Sequence, residues 1–317
     1  MKKLKVAVIG TGGMGKNHVR IFSKLANLAA VVDLNEQSGR EVAAANKTKY
    51  FRTCDEMLAQ TDVDAVSIAT PTKSHEEISI KCLKAGKAVL LEKPIATDVV
   101  QARNIINTAK KYKSILMIGH IERYNPAIIK LKKLADKNYF GRIVNIGAIR
   151  VGVSPPKIPN SDVLLDLGIH DIDIFNYVLN EKPKHVSVMR DKVFKKTGAD
   201  AAVVILKYKQ TIGTLQTNWI SPTKIRKLYL TGLKRSAELD YINQTLSILE
   251  RQEIVDFTKD YRTFMAASGV VEKTIKIVKQ EPLEVEIKHF LEIARKGQIE
   301  DSQYAVDALE AVIVKEI

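Results

Sequence analysis

The sequence predicts two successive domains of different class: an α/β domain with a parallel sheet, then an α+β domain with a mostly antiparallel, open sheet. The first 120 residues alternate short apolar runs with amphipathic stretches, a pattern typical of buried strands joined by helices. After residue 121 the pattern changes to strand-like segments separated by turn residues. A chain of 317 residues is also longer than most single domains. We therefore expect domains over 1–120 and 121–317.

Five apolar runs define the strands expected in the first domain. Each is rich in Val, Ile or Leu and lacks the alternation of a half-exposed strand, and helical patterns such as 74–84 lie between them. Because strands alternate with helices, we expect a parallel sheet with right-handed crossovers. The runs are Lys5–Ile9, Ala29–Val32, Ala65–Ala69, Val89–Leu91 and Ile115–Ile118.

The second domain is expected to contain both helices and strands. Helical patterns cover 126–134 and 161–179, and a helix pair over 283–295 and 302–314 closes the chain. An open antiparallel sheet offers a face for subunit contacts, so we expect a homo-oligomer, either a dimer or a tetramer. The strand-like segments are Gly141–Val151, Lys184–Val193, Ala201–Tyr208, Thr211–Trp219, Lys227–Leu230 and Thr245–Leu249.

Composition narrows the class of protein. Hydrophobic residues make up 45% of the chain and charged residues 27%, as in an ordinary globular protein. No apolar run approaches the roughly 18 residues that span a membrane, and the run after the basic N-terminus is short, so we expect a cytoplasmic protein. Cys54 and Cys82 lack metal-ligand spacing and are expected to be unpaired structural thiols.

The formal net charge of +14 has three interpretations: a lysine-rich solvated surface, an anionic substrate, or a nucleic-acid partner. The lysines are spread along the whole chain and are not interleaved with aromatic residues in one stripe. No nucleic-acid-binding motif is present. We therefore favour the solvated surface, place an anionic substrate second, and expect no nucleic-acid partner.

A glycine motif, G-x-G-x-x-G, directly follows the first predicted strand. Such glycines permit a tight turn, close approach of the backbone to a pyrophosphate, and close packing of the next helix, whose N-terminus binds phosphate. An acid at the end of the second strand binds ribose hydroxyls and repels a 2′-phosphate, so the motif predicts a Rossmann domain that prefers NAD to NADP. A glycine loop that binds nothing is the alternative. The expected cofactor residues are Gly10, Thr11, Gly12, Gly13, Met14, Gly15 and Asp33.

Two charged residues and a proline follow the run Val89–Leu91. Open α/β sheets bind ligands outside the carboxyl ends of their strands, so Glu92 and Lys93 stand where chemistry is expected. Pro94 fixes the backbone and makes the Lys93–Pro94 bond a candidate cis peptide. A solvated Glu–Lys pair at a strand end is the alternative interpretation.

A second polar cluster lies in the segment 161–173, which predicts a helix with Ser161 as its N-cap. Asp166 and His170 are four residues apart and share a face, with Asp173 on roughly the same side. Three interpretations compete: a local Asp–His hydrogen bond, a metal site, and acid–base catalysis in which His170 takes a hydroxyl proton. A metal site needs more ligands than the neighbouring sequence supplies, so we expect none.

Glu92-Lys93-Pro94, together with the earlier Ala69-Thr70-Pro71-Thr72-x-x-His75, resembles the glucose–fructose oxidoreductase / inositol dehydrogenase (Gfo/Idh/MocA) family over nearly the whole chain. The resemblance implies an enzyme that transfers hydride between NAD and a sugar-type secondary alcohol. It implies Lys93 beside the nicotinamide ribose and the reacting oxygen, where an ammonium stabilises alkoxide charge. The implied catalytic set is Lys93, Asp166 and His170. The implied further cofactor contacts are Thr70, Pro71, His75, Glu92 and Lys93.

Two more segments, 119–126 and 218–226, resemble sugar-nucleotide oxidoreductases that oxidise the 3-hydroxyl of UDP-N-acetylhexosamines. Glu122 stands where the inositol dehydrogenases of the family have a basic residue, which disfavours inositol. A diphosphate would suit Arg226, Tyr124 and the basic net charge. The resemblance thus implies UDP-N-acetylglucosamine, with a free-sugar or polyol dehydrogenase and a non-catalytic NAD-binding sensor as alternatives. The expected substrate residues are Glu122, Tyr124, Asn125 and Arg226.

Overall fold

The computed structural model describes residues 3–153, 162–194, 198–251 and 270–314. The chain divides into two compact units, the first formed by Met1–Tyr124 with Glu281–Glu310 and the second by Asn125–Gln280 with Ala311–Ile317. This division differs from the predicted one at residue 120 mainly in the C-terminal helices, most of which belong to the first unit.

The first unit is built on a six-stranded parallel sheet in the order β3-β2-β1-β4-β5-β6. This is the strand order of a dinucleotide-binding Rossmann domain, so the predicted fold is confirmed. The third strand was not predicted because it has only three residues and is partly exposed. The strands are β1 Lys5–Ile9, β2 Asn27–Val32, β3 Lys49–Phe51, β4 Ala65–Ile68, β5 Ala88–Glu92 and β6 Leu116–Gly119.

Three helices of the first unit start at a side-chain cap. Asn35 accepts a hydrogen bond from Ser38 N–H, and Thr53 forms a capping box with Glu56. The helix after β1 begins after Gly12 with no side-chain cap. Its first N–H groups are therefore left for another partner. The helices are α1 Gly13–Leu25, α2 Glu36–Ala45, α3 Cys54–Gln60, α4 His75–Lys84 and α5 Val99–Tyr112.

The two cysteines are neighbours in the first unit. Cys54 opens α3 and Cys82 lies near the end of α4, and both are buried. Their sulfur atoms are 3.6 Å apart, which is contact distance for two free thiols.

The second unit is built on an eight-stranded sheet in the described residues, in the order β14-β13-β12-β11-β7-β10-β9-β8. Neighbouring strands are antiparallel except β7 and β10, which are parallel, so the predicted mostly antiparallel sheet is confirmed. β12 was not predicted because only Ala237 and Leu239 mark its buried face. The strands are β7 Ile143–Val151, β8 His185–Asp191, β9 Ala201–Lys207, β10 Ile212–Asn218, β11 Ile225–Gly232, β12 Ser236–Asp240, β13 Thr245–Arg251 and β14 Val270–Thr274.

Two helices of the second unit cover one face of this sheet. α6 spans Pro126–Asp136, and α7 spans Ile169–Leu179 after a π-helical turn over Leu164–Gly168. Strands β9 and β10 alternate buried and exposed residues, as expected when one face of a sheet packs on helices. The predicted N-cap, Ser161, lies outside the described residues.

The C-terminal helices, α8 Pro282–Lys296 and α9 Gln303–Val312, explain the difference in domain division. Phe290 of α8 packs edge-on against Phe22 of α1, with ring centroids 6.3 Å apart. The hydroxyl of Ser302 donates to the carbonyl oxygen of Leu116 at 2.8 Å. An amphipathic helix at the end of a chain carries no sign of which sheet its apolar face covers, so the sequence pattern could not assign it.

The described helices include none that is long and apolar enough to cross a membrane.

Candidate active site

The glycine loop between β1 and α1 is compact at two positions. Gly10 has a φ of +90°, and a Cβ there would lie 2.7 Å from the carbonyl oxygen of Ala69. A Cβ on Gly15 would lie 1.9 Å from the carbonyl oxygen of Gly10. Only glycine fits at both positions, because the helix packs directly on the turn.

Space is open at the other two glycines of the loop. Among the described residues, no heavy atom lies within 4 Å of where a Cβ would stand on Gly12 or Gly13. The N–H groups of Gly13, Met14 and Gly15 have no acceptor within α1, since they belong to its first turn. Free N–H groups and the positive end of the helix dipole suit a pyrophosphate. The loop therefore fits the phosphates of NAD.

Asp33 lies directly after β2 and is tied to the glycine loop. One carboxylate oxygen accepts from the N–H and the hydroxyl of Thr11, at 2.7 and 2.6 Å. The other accepts from Asn35 N–H at 2.8 Å. A carboxylate has about four acceptor positions, so capacity remains for a ribose hydroxyl, while its charge opposes a 2′-phosphate. Thr11 thus acts by orienting Asp33.

His75 joins the loop after β4 to the turn after β5. Its ring nitrogens lie 2.9 Å from the carbonyl oxygens of Thr70 and Pro94, and the side chain is buried. Burial lowers the pKa of His75, and the two carbonyl oxygens, which favour the protonated ring, only partly oppose this effect. The neutral ring can donate to only one of the two. His75 therefore holds two cofactor loops together, Pro71 lying in the first of them.

Glu92, the last residue of β5, is buried and held by residues that the sequence analysis did not identify. Its Oε1 lies 2.9 Å from Nε2 of His18 on α1, and Nδ1 of the same ring lies 2.7 Å from the hydroxyl of Ser67 on β4. A Cβ on Gly119 would come within 3.2 Å of Oε1. A polar residue on the buried face of α1 was the one available signal for His18.

Lys93 follows Glu92 at the carboxyl edge of the parallel sheet. Its N–H donates to Oε2 of Glu92 at 3.3 Å, and its side chain is half-buried. The Lys93–Pro94 peptide is cis, as its sequence suggested. The glycine loop, Asp33, Thr70, His75, Glu92 and Lys93 therefore all lie at one edge of the six-stranded sheet, where such sheets bind ligands.

In the second unit, a pocket of about 290 Å³ brings together three of the predicted residues. Asp166 and His170 line it from the helical side, and Arg226 from β11. Lys224, which the sequence analysis did not select, adds a second cation. The remaining lining residues are Val151, Gly152, Val153, Leu167 and Trp219.

The π-helical turn places Asp166 and His170 on the same pocket. Asp166 lies within the turn and His170 in the first turn of α7. Such turns widen a helix locally and are frequent at functional sites. The next residue, Asp171, is fully buried and accepts from the guanidinium of Arg150 with both oxygens, one at 3.2 Å from Nη2. This ion pair joins the start of α7 to β7.

Three of the expected substrate residues have other surroundings. Tyr124 packs on the core of the first unit, and burial strongly raises its pKa. Asn125 caps α6, accepting from Ala127 N–H at 3.1 Å and donating to the carbonyl oxygen of Tyr241 at 3.0 Å. Glu122 is buried. Of the expected substrate residues, Arg226 is the one lining the described pocket.

Asp173 is also buried, on α7. Within the described ranges, no cluster of three or more His, Cys, Asp and Glu side chains is arranged to hold a metal ion.

Comparison with known proteins shows to which family a chain with this fold belongs. Residues 4–120 match the Gfo/Idh/MocA oxidoreductase family with its NAD-binding Rossmann fold, and residues 128–238 match the C-terminal domain of the same family. The UDP-N-acetylglucosamine 3-dehydrogenase of Acidithiobacillus ferrooxidans is 30% identical over 291 residues, covering 92% of this chain and 88% of that protein. Its solved structure has a TM-score of 0.87 at 28% identity and covers 99% of this chain and 96% of that chain.

Inositol dehydrogenases match a shorter part of the chain. The inositol 2-dehydrogenase 2 of Saccharopolyspora erythraea is 29% identical over 185 residues, covering 56% of this chain and 55% of that protein. The chain belongs to the Gfo/Idh/MocA oxidoreductase family. It is an NAD-dependent dehydrogenase, and the predicted enzyme class and cofactor are confirmed.

Proposed function

We propose that the protein oxidises a secondary hydroxyl of a sugar nucleotide, specifically the 3-hydroxyl of UDP-N-acetylglucosamine. The observation that carries the proposal is the pocket of the second unit, where an acid–base pair, Asp166 and His170, shares one cavity with two cations, Lys224 and Arg226. The A. ferrooxidans enzyme of that name, similar over most of both chains, supports it.

The acid–base pair supplies the proton chemistry of the proposed reaction. NAD, when bound, accepts the hydride. His170 takes the proton of the reacting hydroxyl as general base, and Asp166 orients the site. The ammonium of Lys93 stabilises the negative charge that develops on the oxygen. These three residues form the proposed catalytic set.

The two cations favour a nucleotide-linked sugar over a free sugar or polyol. Lysine and arginine side chains bind the oxygens of a diphosphate with charge-assisted hydrogen bonds. An inositol or a free hexose has no charge to pair with Lys224 and Arg226. The proposed substrate contacts in this pocket are these two side chains, while Glu122, Tyr124 and Asn125, also expected from the sequence, lie outside it.

The proposal is tested by mixing the protein with NAD and one candidate substrate at a time and measuring the absorbance of the NADH that forms. The candidates are UDP-N-acetylhexosamines, free sugars and polyols. We expect turnover with UDP-N-acetylglucosamine only. Arg226→Ala and Lys224→Ala should raise KM for the UDP-sugar by about tenfold or more and leave KM for NAD unchanged, since a charge-assisted bond contributes roughly 1.5–3 kcal/mol. Lys227→Ala, an exposed neighbour outside the pocket, is the matched control. Equal turnover of inositol would contradict the assignment.

A non-catalytic NAD-binding sensor is the other class of function. Lys93→Ala separates the two, because an enzyme should lose turnover while it still binds NADH. Turnover that survives this change would remove Lys93 from the proposed catalytic set.

We also propose that the protein is a homo-oligomer that associates through the outer face of its second sheet. Four large apolar side chains on adjacent strands β8, β9 and β10 are exposed there, and contiguous exposed apolar surface marks interaction sites. They are Met189, Val203, Ile205 and Ile212, with 77%, 47%, 51% and 44% of their surface exposed.

A further inference from the structure

A buried polar chain in the first unit leads to the turn that carries Lys93. It runs from the hydroxyl of Ser67 through both ring nitrogens of His18 to the carboxylate of Glu92, with links of 2.7 and 2.9 Å. Ser67 and His18 have no exposed surface, and Glu92 is 8% exposed. Three secondary-structure elements, β4, α1 and β5, each contribute one member.

The hydrogen bonds define a direction for this chain. An ionised carboxylate can only accept, so Nε2 of His18 must donate to Glu92. In the neutral ring Nδ1 then accepts from the hydroxyl of Ser67. Each side chain thus fixes the hydrogen-bonding role of the next. The last of them, Glu92, also accepts from the N–H of Lys93.

A second acid faces Glu92 from α8. Glu286 is fully buried, and among the described residues neither of its carboxyl oxygens has a hydrogen-bond partner. Burial and the charge of Glu92 raise its pKa well above the usual range. Tyr124, which precedes α6, also interacts electrostatically with Glu286. His18, on α1, affects Glu286 only indirectly, through its hydrogen bond to Glu92. Of the cations on α1, Arg20 is paired with Glu281 at the exposed start of α8, and Lys16 and Lys24 are exposed.

Burial without a hydrogen-bond partner among the described residues therefore favours the protonated form of Glu286. Two ionised carboxylates cannot share a buried place without strong repulsion, and the group without hydrogen bonds is the one that keeps its proton. Glu92 is the member of the pair that has a hydrogen bond to His18.

We propose that His18 and Glu286 are positioning residues, which keep Glu92 in place and thereby hold the turn that carries Lys93. His18 does so by donating a hydrogen bond to Glu92. Glu286 does so by remaining uncharged. The inference rests on the proposed place of Glu92 and Lys93 beside the nicotinamide but not on the identity of the sugar.

The test measures the Kd of NADH by fluorescence, which needs no substrate. The reduced nicotinamide is uncharged, so its affinity reports the geometry of the site more than its charge. His18→Ala should weaken NADH binding roughly tenfold, since small displacements at such sites have effects of this size. His18→Gln, whose amide can still donate to Glu92, should recover most of it. Ser23→Ala, on the exposed side of α1, is the control.

A pH series tests the role of Glu286 between about pH 6 and pH 10, a range that includes the pKa of documented buried glutamates. The wild type should lose affinity for NADH as pH rises and Glu286 ionises beside Glu92. Glu286→Gln cannot ionise and should keep its affinity over the same range. Glu284→Gln, an ion-paired neighbour on the same helix, should behave as the wild type does.

The outcomes separate positioning from simple structural support. Rescue by His18→Gln and a flat pH response of Glu286→Gln support the proposal. Wild-type affinity in folded His18→Ala, or a pH response of Glu286→Gln equal to the wild type, would overturn it. Absence of turnover with any UDP-sugar would contradict the proposed function alone, because the NADH measurements are independent of it.

Discussion

At the scale of single residues, glycines of one motif have different physical roles. Gly15 is required by the fold, because any side chain would meet the carbonyl oxygen of Gly10. Gly12 has a φ of −66° and a ψ of −168°, which any residue can adopt, and open space lies where its side chain would be. Its glycine is explained only by something that comes close to the backbone from outside, as a pyrophosphate does.

This difference predicts opposite results for two alanine variants. Gly15→Ala should lower the free energy of unfolding by about 3 kcal/mol or more through overpacking. Gly12→Ala should change it by less than about 0.5 kcal/mol yet weaken NADH binding by at least about tenfold, because its methyl group occupies the approach of the phosphates. Chemical denaturation and NADH titration of both proteins measure this. If Gly12→Ala bound NADH normally, the loop would not be the phosphate site.

The residues that could be predicted from the sequence are those whose signal is local. The glycine motif and Glu92-Lys93-Pro94 each lie within a few residues and have one physical explanation. His18 could not be linked to Glu92, because 74 positions separate them and only the parallel sheet brings them together. The contact of Tyr124 with the core of the first unit could not be predicted for a related reason, because the sequence spacing of an aromatic residue does not record its packing.

At the scale of secondary-structure elements, one buried ion pair fixes the start of α7. Arg150 on β7 and Asp171 on α7 are 1% and 0% exposed, and the guanidinium also lies 4.7 Å from the centre of the Tyr241 ring. Asp171 directly follows His170, so this pair sets the orientation of the proposed general base. Asp166 and His170 line one pocket, as their spacing suggested, but the π-helical turn that contains Asp166 has no sequence signature of its own.

Arg150→Met should therefore lower the free energy of unfolding by about 3–5 kcal/mol, because Asp171 is left buried without its partner. Arg150→Met combined with Asp171→Leu should recover much of that loss, since both charges of the pair are then removed. Urea denaturation of the two proteins and the wild type checks this. If the double variant were no more stable than Arg150→Met, the two side chains would stabilise the fold by more than the neutralisation of each other's charge.

At the scale of the whole molecule, the sequence correctly predicted the class of each sheet but not the place of the last helices. Alternation of strands and helices is repeated many times along the first 120 residues, so single errors such as the unpredicted β3 did not change the fold. The position of α8 depends on Phe290 and Ile287 meeting a core made by the beginning of the chain. That contact joins residues near the two ends of the sequence, and nothing local encodes it.

The exposed apolar face of the second sheet predicts where the protein associates with its own copies. Met189 and Val203 are directly opposed on β8 and β9, and Ile205 is exposed two residues further along the same face. In a symmetric oligomer a lysine introduced at such a place meets its own copy or an apolar neighbour, and like charges or unpaired buried charges oppose association. Ile205→Lys should therefore weaken self-association by at least about tenfold.

Light scattering at several protein concentrations measures this change. Ile299→Lys is the matched control, because Ile299 is 56% exposed in the loop between α8 and α9 and lies far from the second sheet in the chain. It should leave the molar mass unchanged. A wild type that stays monomeric would contradict the proposed homo-oligomer, and an Ile205→Lys protein with the same mass as an oligomeric wild type would place the subunit contact elsewhere. Loss of mass in Ile205→Lys alone would assign the interface to the apolar face of β8, β9 and β10.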